Sequence, residues 1–118
     1  MKTKQETPWG DFCVLMGATP RNRILEFFLD LRTLEFTTND VALETGLNRA
    51  TTYNAMEELT AQGYLIPTRK ASGSQLYKLN KQNPEVKMLI QISEIILDKI
   101  VEEYTEQEET KEPMVIKQ

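Results

Sequence analysis

The chain has 118 residues, of which 40% are hydrophobic and 27% charged, and its net charge is -4. That length suits one compact domain with an added element, and the charged share is that of an ordinary globular protein, which argues against bulk disorder. The hydrophobic share is low for a chain that closes its whole core alone and suits a small domain that leans on a partner. A single cysteine, Cys13, excludes an internal disulfide. It reads as a buried, inert thiol, with a redox sensor as the alternative. There is no histidine, which removes the commonest general base and the commonest metal ligand. No Gly-rich phosphate loop or nucleophile motif occurs either. The expectation is therefore no enzyme, no metal site and no cofactor. No run approaches the roughly 20 apolar residues of a membrane span, and no secretory signal is visible, so a cytoplasmic protein without a membrane partner is expected.

Taken in chain order, residues 1–6 are polar and expected to fray. Thr7 and Pro8 offer a helix cap and a first helical residue. Trp9, Phe12, Leu15 and Met16 then recur at amphipathic spacing before Gly17, although "FCVLM" would serve equally as a strand. Residues 1–18 are set apart as an N-terminal extension with at most a short helix. Thr19 and Pro20 open a helix over about 20–32 whose inward side is Ile24, Leu25, Phe27, Phe28 and Leu31. Arg21 and Arg23 at its start are electrostatically disfavoured there; they read as exposed, with phosphate contact as the alternative. A brief strand is expected around Phe36.

Thr37 or Thr38 caps a short helix over "NDVALETG", with Val41 and Ala42 inward, Leu43 a further candidate, and Gly46 as its end. Asn48 caps the next helix, Arg49 to Gln62, with Thr52, Ala55, Met56 and Leu59 inward and Gly63 as its C-terminal glycine. Two helices joined by a tight Gly-containing turn make a helix-turn-helix. "YLIPTRK" and "QLYKLN" flank "ASGS" and read as a two-stranded hairpin, with Tyr77 and Leu79 on one face. Pro67 demotes the first of these strands to an edge or a bulge. Asn83 and Pro84 start a long helix to about Tyr104, roughly 30 Å. Its apolar side is wider than one small domain covers. Val86, Leu89, Ile90, Ser93, Ile96, Leu97, Ile100 and Tyr104 read as a dimer seam. Residues 106–118 are acidic and expected to be a disordered tail.

The order helix, short strand, helix-turn-helix, hairpin, long helix resembles the winged-helix transcription regulators of the MarR and ArsR type, and especially their small archaeal members. "TTNDVALETGLNRATTYNAMEELTAQGYL", "IPTRKASGSQLYKLN" and "NPEVKMLIQISEIIL" carry the resemblance, which covers about residues 19–104. The fold class it implies is mainly α with a small β-hairpin wing (α+β). The division it implies is a DNA-binding domain at 19–82 and a dimerisation helix at 83–105. Absence of a Cys or His cluster departs from the metal-sensing members.

In a helix-turn-helix the start of the second helix enters the major groove. Here that face carries Arg49, Ala50, Thr51, Tyr53 and Asn54, with Glu57 beside them. Arg pairs with guanine, Asn with adenine, and Ala or Thr touches a thymine methyl; Tyr53 reaches toward a phosphate. Arg69, Lys70, Ser72, Ser74 and Lys78 of the wing suit backbone or minor-groove contact. A plain polar helix and a solvated hairpin with anti-aggregation lysines are the bland alternatives. Residues 46–82 hold five basic residues (Arg49, Arg69, Lys70, Lys78, Lys81) and two acidic ones (Glu57, Glu58) within a chain of net charge -4. The expected reading surface is thus +3 and the remainder -7. The partners expected are double-stranded DNA and a second copy of the chain. Two rival readings stay open. One is an accessory of DNA segregation or replication, for which Trp9 and Phe12 would be assembly contacts. The other is a protein-interaction winged helix with no DNA role. An effector pocket near Trp9 or Tyr104 is conceivable, but no residue pattern points to a ligand.

Overall fold

A computed structural model describes residues 9–116 of the chain, with side chains described through Glu106. The expected cap Thr7 and Pro8 lie outside the described residues. The elements are α1 (Asp11–Met16), α2 (Pro20–Asp30), β1 (Phe36–Thr37), α3 (Thr38–Thr45), α4 (Arg49–Ala61), β2 (Leu65–Ala71), β3 (Ser74–Leu79) and α5 (Pro84–Ile116).

Helix α2 is the centre of the molecule. Thr19 Oγ1 accepts from the Asn22 amide at 3.1 Å and Pro20 occupies the first turn, so the helix starts where its sequence says. It buries Ile24 through Leu29 without a break. A one-sided helix cannot do that; α1, α3, α4, α5 and β3 all pack around it. The helix ends at Asp30, so Leu31 falls past the last turn and is exposed rather than inward.

Six buried residues in a row must include whatever the sequence holds, and here that includes Glu26. Its carboxylate accepts from the Gly10 amide at 3.1 Å, the Cys13 amide at 3.3 Å and Arg23 Nη1 at 3.1 Å. The acidic side chain satisfies two of the orphan donors at the start of α1 and favours that helix end electrostatically. α1 is therefore capped from α2, with Gly10 as its own cap residue. A Cβ on Gly10 would stand 2.7 Å from the Glu26 carboxylate, so only glycine lets the backbone come this close. Phe12 and Cys13 face the core, whereas Val14, Leu15 and Met16 are exposed. Leu15 and Met16 were expected inward with Phe12; a helix of one and a half turns buries only the side that touches α2.

Thr37, rather than Thr38, caps α3 through a reciprocal box with Asp40. Gly46, at φ 79°, ends α3 in the left-handed region. Val41 and Ala42 are buried, but Leu43 is exposed, because it lies off the two-turn inward stripe. Asn48 caps α4 by accepting from the Thr51 amide at 2.8 Å. Thr52, Ala55, Met56 and Leu59 pack inward as their spacing predicts. Thr52 is wholly buried, and its hydroxyl donates to the Asn48 carbonyl at 2.8 Å.

The sheet has three antiparallel strands in the order β1-β3-β2, not two. Phe36 pairs with Tyr77 and Thr37 with Leu76. Phe36 is anchored beside the hairpin by ring contacts with Phe27 and Phe28, centroids 4.7 and 5.8 Å apart. β2 is an edge strand with a register shift between Pro67 and Lys70, the irregularity Pro67 predicts. Ala71 pairs with Ser74, so the tip is a two-residue turn. Ser72 at φ 52° and Gly73 at φ 80° both have positive φ, the requirement of the hairpin turn that matches strand twist.

Asn83 caps α5, its Oδ1 accepting from the Glu85 and Val86 amides, while its Nδ2 donates to the Gly63 carbonyl at 3.1 Å. The start of α5 is thus tied to the end of α4. Tyr64 adds a second tie by donating to Glu85 Oε1, and that bond raises the phenol pKa. α5 continues for 33 residues to Ile116, about 50 Å. It passes Tyr104, so the expected disordered tail is helical backbone as far as Ile116. "TEQEETKE" consists mostly of good helix formers, and its acidity does not by itself break a helix.

Candidate nucleic-acid interface

The caps of α3 and α4 are supplied by Thr37 and Asn48, which leaves the residues just inside each helix free for other contacts. Thr38 and Asn39 of α3, Arg49, Ala50 and Tyr53 of α4 and Ser74 of β3 line one open cleft of about 730 Å³. Four expected contact residues, Arg49, Ala50, Tyr53 and Ser74, are thereby brought together from two separate elements. Asn54 is exposed on α4 outside the cleft lining, and Thr51 is half-buried with its amide spent on the Asn48 cap. Arg69, Lys70 and Ser72 are exposed along β2 and the tip, and Lys78 is half-buried on the central strand opposite Ile66.

The two arginines of this face are held. Arg49 donates from Nη2 to Asn39 Oδ1 at 2.9 Å. Arg69 pairs through Nε with Glu35 Oε1 at 3.0 Å. Neither partner was legible from spacing. Asn39 reads as an ordinary first-turn residue and Glu35 as a loop acid until the turn and the sheet bring them across. Tyr53 hydrogen-bonds Glu57 one turn on, which raises its hydroxyl pKa. Arg21 and Arg23 are not spare cations. Arg21 donates to Gln62 Oε1 at 2.8 Å, lies 3.6 Å from Glu58 and sits over the Tyr64 ring. Arg23 is pulled inward by Glu26, with its Nε buried without a partner.

The second exposed face is apolar. Val86 is fully buried in the chain's own core, and Leu89, Ile90, Ser93 and Ile96 are half-buried. Val86 is therefore a core residue and not available to a seam. Leu97, Ile100 and Tyr104 stand exposed, joined by Ile95 and Val101. Between α1 and α5 runs a groove of about 680 Å³ with Val14, Leu15, Ile92, Ile95, Ile96 and Ile100 in its walls. Trp9 and Phe12 are not exposed assembly contacts: Phe12 is a core residue and Trp9 packs against the core. Cys13 is buried in the same region, and burial, with Glu26 beside it, pushes its thiol up to about 12.

No family model and no curated protein matches the chain. Solved structures do match. MepR of Staphylococcus aureus, a transcription regulator of the multidrug efflux pump MepA, is 18% identical with a TM-score of 0.57, covering 84% of this chain and 73% of its own. The adhesin competence repressor AdcR of Streptococcus pyogenes is 15% identical with a TM-score of 0.58, covering 89% and 80%. A homodimeric winged helix-turn-helix DNA-binding domain from Mycobacterium bovis, possibly of the ArsR family, is 21% identical with a TM-score of 0.53, covering 75% and 76%. The chain has the winged-helix fold. In winged-helix terms α3 and α4 form the helix-turn-helix and β2–β3 the wing. These three structures give no support to a specifically archaeal type. No helix among the described residues is long and apolar enough to cross a membrane.

Proposed function

We propose that the chain is a homodimeric, sequence-specific binder of double-stranded DNA that regulates transcription, with α4 in the major groove and the wing on the backbone or minor groove. The observation that carries the reading is the convergence of Arg49, Ala50, Tyr53 and Ser74 on one open cleft. Arg reads guanine and Ala a thymine methyl, while the flanking tyrosine and serine hydroxyls suit phosphate oxygens. Asn54 extends the row toward adenine recognition. The charge distribution supports it. Attraction between charges is screened beyond about 8–10 Å at moderate salt, so the local positive face counts for more than the net -4 of the chain. Because Glu35 already pairs with Arg69, Arg49, Lys70, Lys78 and Lys81 are left to carry that attraction. Blocking a promoter is the simplest mechanism.

The dimer follows from the apolar face. Each fully buried Leu or Ile side chain is worth roughly 1.5–3 kcal/mol, and Leu97, Ile100, Val101 and Tyr104 are exposed among the described residues. A second copy laid against α5 and the α1–α5 groove covers them. Two-fold symmetry then places two α4 helices about one DNA turn, roughly 34 Å, apart.

The test is a fluorescence-anisotropy titration of purified protein against genomic DNA fragments across a salt series, beside the Arg49→Ala, Asn54→Ala variant. Fragment selection by the wild type, a falling affinity with salt and loss of selection in the variant support the reading. No binding even at low salt rejects it and turns attention to a protein partner.

A further inference from the structure

Arginine is an unexpected residue at the first position of α4. The N-terminus of a helix carries the positive end of its dipole. Arg49 not only occupies such an end but extends to the first turn of α3, where its guanidinium meets Asn39. It therefore stands between two positive helix ends, and Asp40, the residue after Asn39 on α3, is engaged with the Thr37 amide instead. No carboxylate pairs with Arg49 among the contacts of the described residues; the neutral Asn39 carbonyl is what holds it. A placement that opposes local stability points to use elsewhere.

We infer that Asn39 is a positioning residue for Arg49: its carbonyl fixes the plane of the guanidinium so that the free edge faces the base pairs. This rests on the proposed role of Arg49 in reading DNA. Four features of the geometry support it. Thr37 takes the capping duty of α3, so Asn39 owes nothing to its own helix. The bond at 2.9 Å spends one of the five guanidinium donors, leaving a pair for the bidentate contact with guanine. Asn39 and Arg49 line the same cleft. The oxygen of a neutral amide orients the cation without cancelling its charge, unlike Glu35 on Arg69. Holding the fork in advance reduces the freedom lost on binding.

The experiment is a double-mutant cycle with Asn39→Ala, Arg49→Ala and the pair, titrated on the preferred DNA fragment and on single-base variants of it. Both side chains are exposed, so the melting midpoint should not move. Asn39→Ala should weaken binding roughly three- to tenfold, the range of one hydrogen bond's net worth, at unchanged salt slope. It should blur discrimination at the same base pair as Arg49→Ala, and have no effect once Arg49 is gone. Asn39→Asp keeps the accepting oxygen, so it should lower affinity for all fragments while preserving discrimination at that base pair. Multiplying effects of the two alanines, or lost discrimination in Asn39→Asp, would overturn the inference, since Asn39 would then touch DNA on its own account. An Arg49→Ala variant that binds like wild type would reject the reading of Arg49 beneath it.

Discussion

The α4–wing face and the α1–α5 face are both exposed, yet one is chemically finished and the other is not. On α4 and the wing, Arg49 rests on Asn39, Arg69 on Glu35 and Tyr53 on Glu57. These contacts hold the three side chains in place without a ligand, so this face is poised rather than needy. On α5, Leu97 and Ile100 have no polar group to satisfy, and with Tyr104 they stand exposed among the described residues. Their energy is available only when another apolar surface arrives. A polar face of this kind suits a ligand that comes and goes; an apolar one suits a contact that stays.

The comparison can be broken at several points, and the largest effect belongs to the apolar face. Leu97→Asp or Ile100→Asp places a charge where a second copy should pack, at a cost of about 2–4 kcal/mol. Sedimentation equilibrium should show the dimer dissociating at concentrations where wild type stays paired, with DNA affinity lost alongside. A variant that remains dimeric places the interface elsewhere.

Next comes the latch beneath that face. Glu26→Ala takes the side-chain acceptor from the Gly10 amide and leaves Arg23, whose Nε is buried, without its counter-charge. Loss of one member of such a buried pair costs about 3–5 kcal/mol, which thermal unfolding should register as a drop of many degrees. Glu26→Gln, which keeps an acceptor, should lose less.

On the polar face the effects are smaller and differ in kind. Arg49→Ala should cost about 1–3 kcal/mol on the preferred fragment and relax its base preference, whereas Lys70→Ala should weaken all fragments alike and reduce the salt slope by about 1. Removing the Glu35 charge with Glu35→Gln should do the reverse of Lys70→Ala and tighten binding uniformly, because Arg69 is released.

The effect furthest from neutral conditions is a pH dependence. The Cys13 thiol is raised from 9.0 to about 12 in the folded chain. The folded state therefore binds this proton more tightly than the unfolded one, and its stability is complete below pH 9 and falls as pH rises from there toward 12. Native protein should also resist alkylation at pH 8, since the thiolate is the reactive form. Prompt labelling there would mean that α1 opens readily.

The helix starts and the hairpin tip were legible in the sequence because their determinants are local. Thr19, Asn48 and Asn83 cap the helices that follow them within three residues, and Ser72-Gly73 sets its own turn. What was not legible depends on elements meeting across the chain. Glu26 reads as an outward acid on α2 until α1 folds over it. β1 is two residues with no strand signal beyond Phe36, and β3 makes it a strand. On α5, periodicity marks the apolar residues but not which of them the chain's own core consumes; Val86 and Leu97 share one stripe and differ completely in burial. Spacing points Leu15 inward and leaves Leu43 a candidate, yet both are exposed, since spacing describes a helix and not its neighbours.

The measurement that bears most directly on the central claim is selection of bound fragments from a random duplex DNA pool, followed by sequencing of what the protein retains. A symmetric pair of α4 helices predicts enrichment of an inverted repeat whose half-sites lie about one helical turn apart, lost when Arg49 and Asn54 are replaced by alanine. A retained pool with no common sequence, or none retained at low salt, would contradict it.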